Sequence, residues 1–356
     1  MSVKNRVRLA LPSKGALETS TLNFLAECGM KVNRNNPRQY LARIKSIPEI
    51  EVVFQRVADI PALVQSGDAT LGITGYDLLA EHRGYGEEEE ENGHDEDLML
   101  LERDLGYGSC QLVVAVPETW IDVSNCADLW HLSGYYQEHK GRGLRIATKY
   151  PVLTGQFLRR HNITHCKIFS PHGALEAAPL TDTADLIVDL TETGTTLREN
   201  HLKLLDDGTV LRSQACLISN SDMLLHDEHA LRVAETMLEL IDARMQARNR
   251  SMLTAYMHGE SIEAMQRTCI KLNQRLKAVV SDNEFRVATS DLTNTTVPEW
   301  YTISGVVNGG AVELLEIVAV LRSAGAVHIN VTPLTYRFVE ESVSVRALRE
   351  RLKRLR

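Results

Sequence analysis

Residues 184–200, ADLIVDLTETGTTLREN, gather side chains that could do chemistry. An apolar run at 186–188 predicts a buried strand that ends at Asp189. The small and hydroxylated residues Thr191, Thr193, Gly194, Thr195 and Thr196 follow, and a helix is expected to start near Leu197. Such a turn suits a phosphate monoester. Gly194 permits positive φ and close backbone approach. Successive N–H groups and threonine hydroxyls can donate to phosphate oxygens, and a helix N-terminus adds partial positive charge. That dipole supplies only about 0.3–1 kcal/mol at an exposed site, so affinity must come from many donors together. Asp189 stands where it could accept hydrogen bonds from sugar hydroxyls, and Asp185, four residues earlier on the same strand, faces the same side. A capped strand–turn–helix connection with no ligand is the competing reading of the same residues.

Other catalytic constellations are not legible. Six cysteines (28, 110, 126, 166, 216 and 269) include no CxxC pair, and the 12 histidines no HExxH, so no zinc motif stands out and the thiols read as reduced. Net charge is −8, but residues 87–97, EEEEENGHDED, hold eight acids and no Lys or Arg, which leaves the remainder neutral. That pattern predicts a solvated acidic loop and gives no basic field for nucleic acid. No apolar run approaches the ~20 residues of a membrane span. The N-terminal MSVKNRVRLALPSKG lacks the apolar run and cleavage site of an export signal, so a cytoplasmic protein is expected.

The elements that must position the turn alternate between strand and helix. Strands are expected at 7–11, 50–55, 71–74, 112–116, 145–148, 166–169 and 186–188; helices at 17–28, 76–81, 152–161 and 173–178, with Asp59 capping one more at 60–67. Near-continuous apolar strands separated by helices predict a sheet with both faces covered, here in two α/β lobes. An amphipathic helix at 228–249 follows, with Leu231, Ala234, Met237, Leu238, Ile241 and Met245 on one face. The last ~85 residues read strand (252–257), helix (261–276), strands (278–280, 286–290 and 300–307), helix (311–324) and strand (327–331), close to the βαββαβ order of a ferredoxin-like domain. The expected division is a first lobe of 1–107 with 200–228, a second lobe of 108–199, a connector helix of 229–250, a C-terminal domain of 251–340, and a solvated basic tail of 341–356.

Taken together, HGALEAAPLTDTADLIVDLTETGTTLREN resembles the phosphoribosyl-pyrophosphate loop of the ATP phosphoribosyltransferase family, which opens histidine biosynthesis. ALPSKG, RVADIPALVQSGDATLGITG, RIATKYP and LRSQACLI resemble further family blocks in the same order, and GAVHINVTP resembles the closing strand of the family's long form. The resemblance implies two lobes like the type II periplasmic binding proteins, a cleft between them, and a C-terminal regulatory domain. It implies condensation of ATP with 5-phosphoribosyl 1-pyrophosphate, Mg²⁺ as cofactor, histidine as feedback inhibitor, and a dimer or hexamer. Carried over by position, Glu192, Thr193, Gly194, Thr195 and Thr196 would hold the 5-phosphate, and Asp189 the ribose hydroxyls with Glu176 nearby. Lys14 and Gly15 would face the triphosphate or pyrophosphate, with Arg56 a second cation over the cleft. Gly75 and Tyr150 would border the nucleotide, Tyr150 either against a base or ribose or simply in the core. Asp189, Lys14 and Arg56 would carry catalysis; no metal ligand is assigned.

Two positions depart from the family pattern. Ala16 stands where the family has Arg after Lys-Gly, and Gln111 stands where a basic residue follows the cysteine. Each removes a cation whose charge-assisted contact is worth roughly 1.5–3 kcal/mol. Three other readings therefore compete: a catalytically weakened paralogue acting as a regulatory subunit, a two-lobed solute receptor, and a phosphoribosyltransferase for another base.

Overall fold

The computed structural model describes residues 6–34, 36, 39–84, 97–171, 174–276, 285–289 and 300–355. The acidic stretch other than Asp97 and the strand expected at 278–280 lie outside the described residues. Two units are distinguished: Met1–Met237 with Ser344–Arg356, and Leu238–Val343.

The first unit opens with β1 (Val7–Pro12), α1 (Ala16–Glu27), β2 (Val32–Asn33), β3 (Leu41–Ile44), β4 (Ile50–Gln55), α2 (Ile60–Gln65), β5 (Leu71–Gly75), α3 (Tyr76–Arg83) and β6 (Leu98–Glu102). It continues with β7 (Cys110–Pro117), α4 (Cys126–Lys140), β8 (Leu144–Thr148), α5 (Pro151–Arg160), β9 (Cys166–Phe169), β10 (Leu186–Thr191), α6 (Thr195–Glu199) and β11 (Leu202–Ser213). β12 (Ala215–Asn220), α7 (Ser221–His226) and the start of α8 (Glu228–Ala247) follow.

These strands form two sheets, ordered β2-β3-β4-β1-β5-β12-β6 and β11-β7-β10-β8-β9. The sheets share one plan. In the first, β1 lies between parallel partners β4 and β5, and β12 runs antiparallel between β5 and β6. In the second, β8 lies between parallel partners β9 and β10, and β7 runs antiparallel between β10 and β11. Each antiparallel strand arrives from the opposite lobe. The chain enters the second lobe through residues 103–109 and returns across Gln214 alone. This is the two-lobed architecture that the resemblance implies.

The central strands are apolar because both faces are covered: β12 is buried at every position, as is β5. One face of the second sheet (Val114, Val116, Ile146, Leu186, Val188) packs under α4 and α5. The other face (Val113, Ala115, Ala147, Ile187) packs under Leu175, Ala178 and Leu197 of α6.

Four expectations change. The long strand β11 pairs with β7 in the second sheet, so the first lobe resumes only at β12 rather than at residue 200. Residues 174–178 form turns rather than helix; Gly173 lies outside the described residues. Asp59 is itself in αR geometry at the end of a 3-10 turn (Val57–Asp59) and makes no side-chain cap to α2. The basic tail is α11 (Val343–Leu355), whose Val345, Leu348 and Leu352 are buried at helical spacing. Ser344 donates to Glu102 at 2.9 Å and Arg349 pairs with Glu235 at 2.7 Å, so α11 belongs to the first unit rather than to solvent.

The second unit carries β13 (Arg250–His258), α9 (Ile262–Leu276), β14 (Arg286–Thr289), β15 (Trp300–Asn308), α10 (Ala311–Ser323) and β16 (Ala326–Pro333). Its antiparallel sheet is ordered β14-β15-β13-β16, the ferredoxin-like arrangement expected from the sequence. Leu253, Ala255 and Met257 of β13 face Met265, Cys269 and Leu272 of α9 and Ile317 and Leu321 of α10 in its core.

Candidate active site

In open α/β sheets, ligands bind beyond the carboxyl ends of parallel strands. There the expected residues divide into an exposed set and a buried set. Lys14 and Gly15 follow β1, with Lys14 exposed and Gly15 at φ +84° opening α1. No atom lies within 4 Å of where a Gly15 Cβ would be, so its glycine requirement is conformational. Arg56 follows β4 and is exposed. Ala16, the first residue of α1, is exposed beside Lys14.

In the second lobe, Asp189 is half-buried on β10, and one of its oxygens accepts the N–H of Leu190 at 2.9 Å. Burial raises the Asp189 carboxyl above its ordinary value; Lys149, after β8, works against that rise and Glu176 adds to it. The turns at 174–178 thus hold Glu176 near enough to act on Asp189 through its charge. Beyond β10, Gly194 takes a left-handed conformation (φ +73°) and begins α6. Its N–H donates to Thr191 Oγ1 at 2.8 Å, and the hydroxyls of Thr193 and Thr195 are 2.9 Å apart. Arg198 Nη2 reaches back to the Thr193 carbonyl at 3.3 Å. Glu192, Thr193, Thr195 and Thr196 are exposed, so the turn presents its hydroxyls outward around a guanidinium.

Gly75 and Tyr150 sit between the lobes rather than on an open surface. Tyr150 is 6% exposed and donates its hydroxyl to Asp77 Oδ2 at 2.6 Å, while Ser213 Oγ donates to Asp77 Oδ1 at 2.6 Å. Asp77 N–H in turn donates to Ser213 Oγ at 2.9 Å. This buried knot joins α3 of the first lobe to the β8–α5 turn of the second, next to the return across Gln214. A Gly75 Cβ would lie 2.4 Å from Asp77 Oδ1, so glycine is needed there for the carboxylate to close over the backbone. Burial first, then Asp77, pushes the Tyr150 phenol far above its usual range. Of the two readings of Tyr150, its burial and its bond to Asp77 favour packing in the core. Glu81 of α3 braces the same junction by accepting the N–H groups of Val152 and Leu153 at 2.8 and 2.9 Å.

Cys110 lies beside this knot. Burial raises its thiol to about 11, with Asp77 and Glu192 adding to the rise and Ser213 opposing it. A protonated thiol is no nucleophile. Gln111, the next residue, pairs across the sheet with Thr191 on one side and Arg212 on the other. Directly opposed residues share a face, so the exposed Arg212 stands on the face of Asp189 and Thr191. The sequence alone assigns no role to Lys149, Arg198, Arg212 and Ser213, although all four stand in the blocks that carry the resemblance, and none to Asp77, which stands just beyond one. Asp185 turns out to be structural, accepting from Arg142 at 2.6 and 2.9 Å and from Arg145 at 3.0 Å.

The hard oxygen donors of Asp189, Glu176 and Glu192 suit Mg²⁺, which takes few protein ligands and keeps waters and phosphate oxygens. The mutual repulsion of Asp189 and Glu176 is what a dication would relieve.

Comparison with known proteins agrees. The family model described as HisG: ATP phosphoribosyltransferase matches residues 56–253. "ATP phosphoribosyltransferase 2, chloroplastic" of Arabidopsis thaliana is 35% identical over 339 residues, covering 95% of this chain and 79% of that protein. An ATP phosphoribosyltransferase of Brucella anthropi is 43% identical over 215 residues, covering 60% of this chain and 89% of that one. The solved ATP phosphoribosyl transferase (HisG:HisZ) complex from Thermotoga maritima aligns at 26% identity and TM-score 0.47, covering 66% of this chain and 98% of that chain. With the family model spanning more than half its length and a 35% identical relative aligned over 95% of it, this chain belongs to the ATP phosphoribosyltransferase family.

Proposed function

We propose that this chain joins ATP to 5-phosphoribosyl 1-pyrophosphate, giving N1-(5-phosphoribosyl)-ATP and pyrophosphate, the first step of histidine biosynthesis. The observation that carries the reading is the turn after β10: a half-buried carboxylate, a left-handed glycine and outward hydroxyls at the carboxyl end of a strand that runs parallel to β8. The N–H groups and hydroxyls of residues 192–196 hold the 5-phosphate. Asp189 accepts from the ribose hydroxyls, and its negative charge favours the oxocarbenium-like transition state. Adenine N1 forms its bond to the anomeric carbon while the carbon–oxygen bond breaks, its electron pair leaving with pyrophosphate. Lys14, Gly15 and Arg56 border the phosphates from the first lobe.

No protein nucleophile enters this chemistry, in keeping with a protonated Cys110 and a Tyr150 hydroxyl committed to Asp77. Mg²⁺, when bound with the pyrophosphate and held by Asp189 and Glu176, supplies charge neutralisation. Catalysis is then positioning plus electrostatics.

The test is the ultraviolet change of N1-ribosylated adenine with ATP, phosphoribosyl pyrophosphate, Mg²⁺ and pyrophosphatase. Turnover is expected, and Asp189→Ala and Thr193→Ala should each abolish it or nearly so. Absence of turnover in the unaltered chain, with phosphoribosyl pyrophosphate still bound, would replace this reading with that of a regulatory paralogue.

The second unit acts as an effector domain in this reading, with histidine as the feedback inhibitor. The Arabidopsis relative shares this unit, because 95% coverage necessarily includes most of Leu238–Val343. Saturating histidine should lower the initial rate of the full chain; an unchanged rate removes the proposal.

No helix among the described residues is long and apolar enough to cross a membrane. The cytoplasmic placement expected from the sequence stays part of this proposal, and fractionation of cells expressing the full chain checks it.

A further inference from the structure

Three potential metal ligands converge on the far side of the second lobe. Cys126 is the first residue of α4, His161 ends α5, and Asp207 lies on β11 where the ladder to β7 is interrupted. The Cys126 sulfur, a His161 ring nitrogen and an Asp207 carboxylate oxygen all lie within 4.8 Å of one another. We propose that Cys126, His161 and Asp207 form a binding site for a zinc-type divalent transition ion, distinct from the Mg²⁺ of the reaction.

The local structure aims these groups at one point. Between Leu204 and Thr209 the register of β11 against β7 shifts. Gly208 is squeezed there: a Cβ would lie 2.8 Å from Leu205 Cβ and 3.3 Å from the Val114 carbonyl. Such a bulge re-aims a side chain out of the ladder, and here it delivers Asp207 to the start of α4. Asp207 Oδ1 accepts the Cys126 N–H at 2.8 Å, which leaves Oδ2 for an ion. The His161 ring rests 4.5 Å from the Phe157 ring, which restricts its orientation. Cys126 is 1% exposed, His161 half-buried and Asp207 exposed, so an ion would enter from the carboxylate side and keep a position for water.

The donor set selects the metal. Thiolate, imidazole and carboxylate together suit Zn²⁺ and its neighbours, whereas Mg²⁺ takes oxygen. Bonds of about 2.0–2.3 Å in a tetrahedron put ligand atoms roughly 3.3–3.8 Å apart, a closure that rotation of the Asp207 and His161 side chains can supply. As the sulfur–metal bond forms, the thiol proton leaves to solvent. The site ties α4, α5 and the outer strand β11 together. It lies on the face covered by α4 and α5, opposite the face of Asp189 and Thr191. These ligands stand 35 and 46 residues apart in the chain (126, 161, 207), so no short motif could reveal them.

The test is titration of the chelator-treated full chain with Co²⁺, then Zn²⁺, followed by absorption. One equivalent of Co²⁺ should produce thiolate-to-metal charge transfer and the visible bands of a four-coordinate ion, displaced by one equivalent of Zn²⁺ and untouched by excess Mg²⁺. Cys126→Ser should abolish the charge transfer. His161→Ala and Asp207→Asn should weaken binding at least about tenfold; the asparagine keeps an acceptor for the Cys126 N–H, and circular dichroism checks that each variant is folded. The proposal is overturned if no charge-transfer band develops. It is equally overturned if the band survives Cys126→Ser, or if folded His161→Ala and Asp207→Asn bind as the parent does.

Discussion

The two lobes of the first unit are built on one frame and end it differently. Leu9 and Ala10 of β1 pair with Leu71 and Gly72 of β5; Ile146 and Ala147 of β8 pair with Leu186 and Ile187 of β10. Just before these pairs, Thr70 N–H donates to the Arg8 carbonyl at 3.0 Å, and Asp185 N–H donates to the Arg145 carbonyl at 2.9 Å. The sequence echoes the match, RLA with ATLGITG in one lobe and RIA with ADLIVDL in the other. Three residues after the first residue of β5 and of β10 the lobes diverge. Thr74 is buried and its hydroxyl donates to the Val57 carbonyl at 3.1 Å, whereas one oxygen of Asp189, its counterpart, takes no hydrogen bond from the described residues at a half-open edge. The first lobe then spends its next carboxylate, Asp77, on the knot with Tyr150 and Ser213, while the second opens into the threonine turn. One frame thus yields a joint in one lobe and a ligand cradle in the other.

The largest test exchanges neither residue but removes each in turn. Asp189→Asn should lower kcat/KM for phosphoribosyl pyrophosphate roughly hundredfold, about 3 kcal/mol of transition-state stabilisation, with little loss of stability. Thr74→Val should do the reverse, costing about 1 kcal/mol of stability with nearly unchanged kcat/KM. Because burial raises the Asp189 carboxyl, activity should fall with pH starting above the ordinary carboxylate range, and Asp189→Asn should lack that limb. Equal losses of activity in the two variants would break the comparison.

At the opposite strand ends the lobes differ by Thr70 and Asp185. Hydrogen bonds and charge from Arg142 and Arg145 outweigh the cost of burial and hold the Asp185 carboxyl far below its usual value. A depressed carboxyl contributes stability that is complete above its unfolded value of about 3.9 and is lost as pH falls through the folded one. Asp185→Asn should therefore cost about 3 kcal/mol at pH 7 and shrink the acid limb of the urea midpoint; partial exposure of both arginines sets the lower end of the buried-pair range. No such pH-dependent term attaches to Thr70.

The joint itself is tested by a double-mutant cycle. Asp77→Ala strands the hydroxyls of Tyr150 and Ser213 and should cost about 2 kcal/mol. Gly75→Ala should cost a comparable amount by forcing the carboxylate away, and the pair should fall well short of additive, because both act on one contact. Additive losses in chemical denaturation would mean that Gly75 is constrained by something other than Asp77.

What the sequence made legible follows the range of each interaction. The β10 turn could be read because its strand, glycine and hydroxyls are contiguous, and the ferredoxin-like order because apolar periodicity marks each element. The joint could not, since Asp77 finds Tyr150 and Ser213 across 73 and 136 residues. Nor could the sheet of β11: strand patterning says that a segment pairs, not with which partner, and bulges blur its alternation. The tail misled because its charge suggests solvent, whereas the buried stripe of Val345, Leu348 and Leu352 decides the packing.

The smallest effect concerns the cation that Gln111 lacks. Arg212 lies directly across from Gln111, which lies directly across from Thr191, so a guanidinium one strand further out is available to the same face. If Arg212 substitutes for the missing charge, Arg212→Gln should raise KM for phosphoribosyl pyrophosphate about tenfold, near 1.4 kcal/mol, as one exposed charge-assisted contact is worth. Gln111→Arg should then gain less than that in the parent, where the charge is already supplied, and should recover most of the loss when added to Arg212→Gln. A full gain from Gln111→Arg in the parent, with Arg212→Gln silent, would show that the second lobe holds its ligand with neutral donors and Arg198 alone.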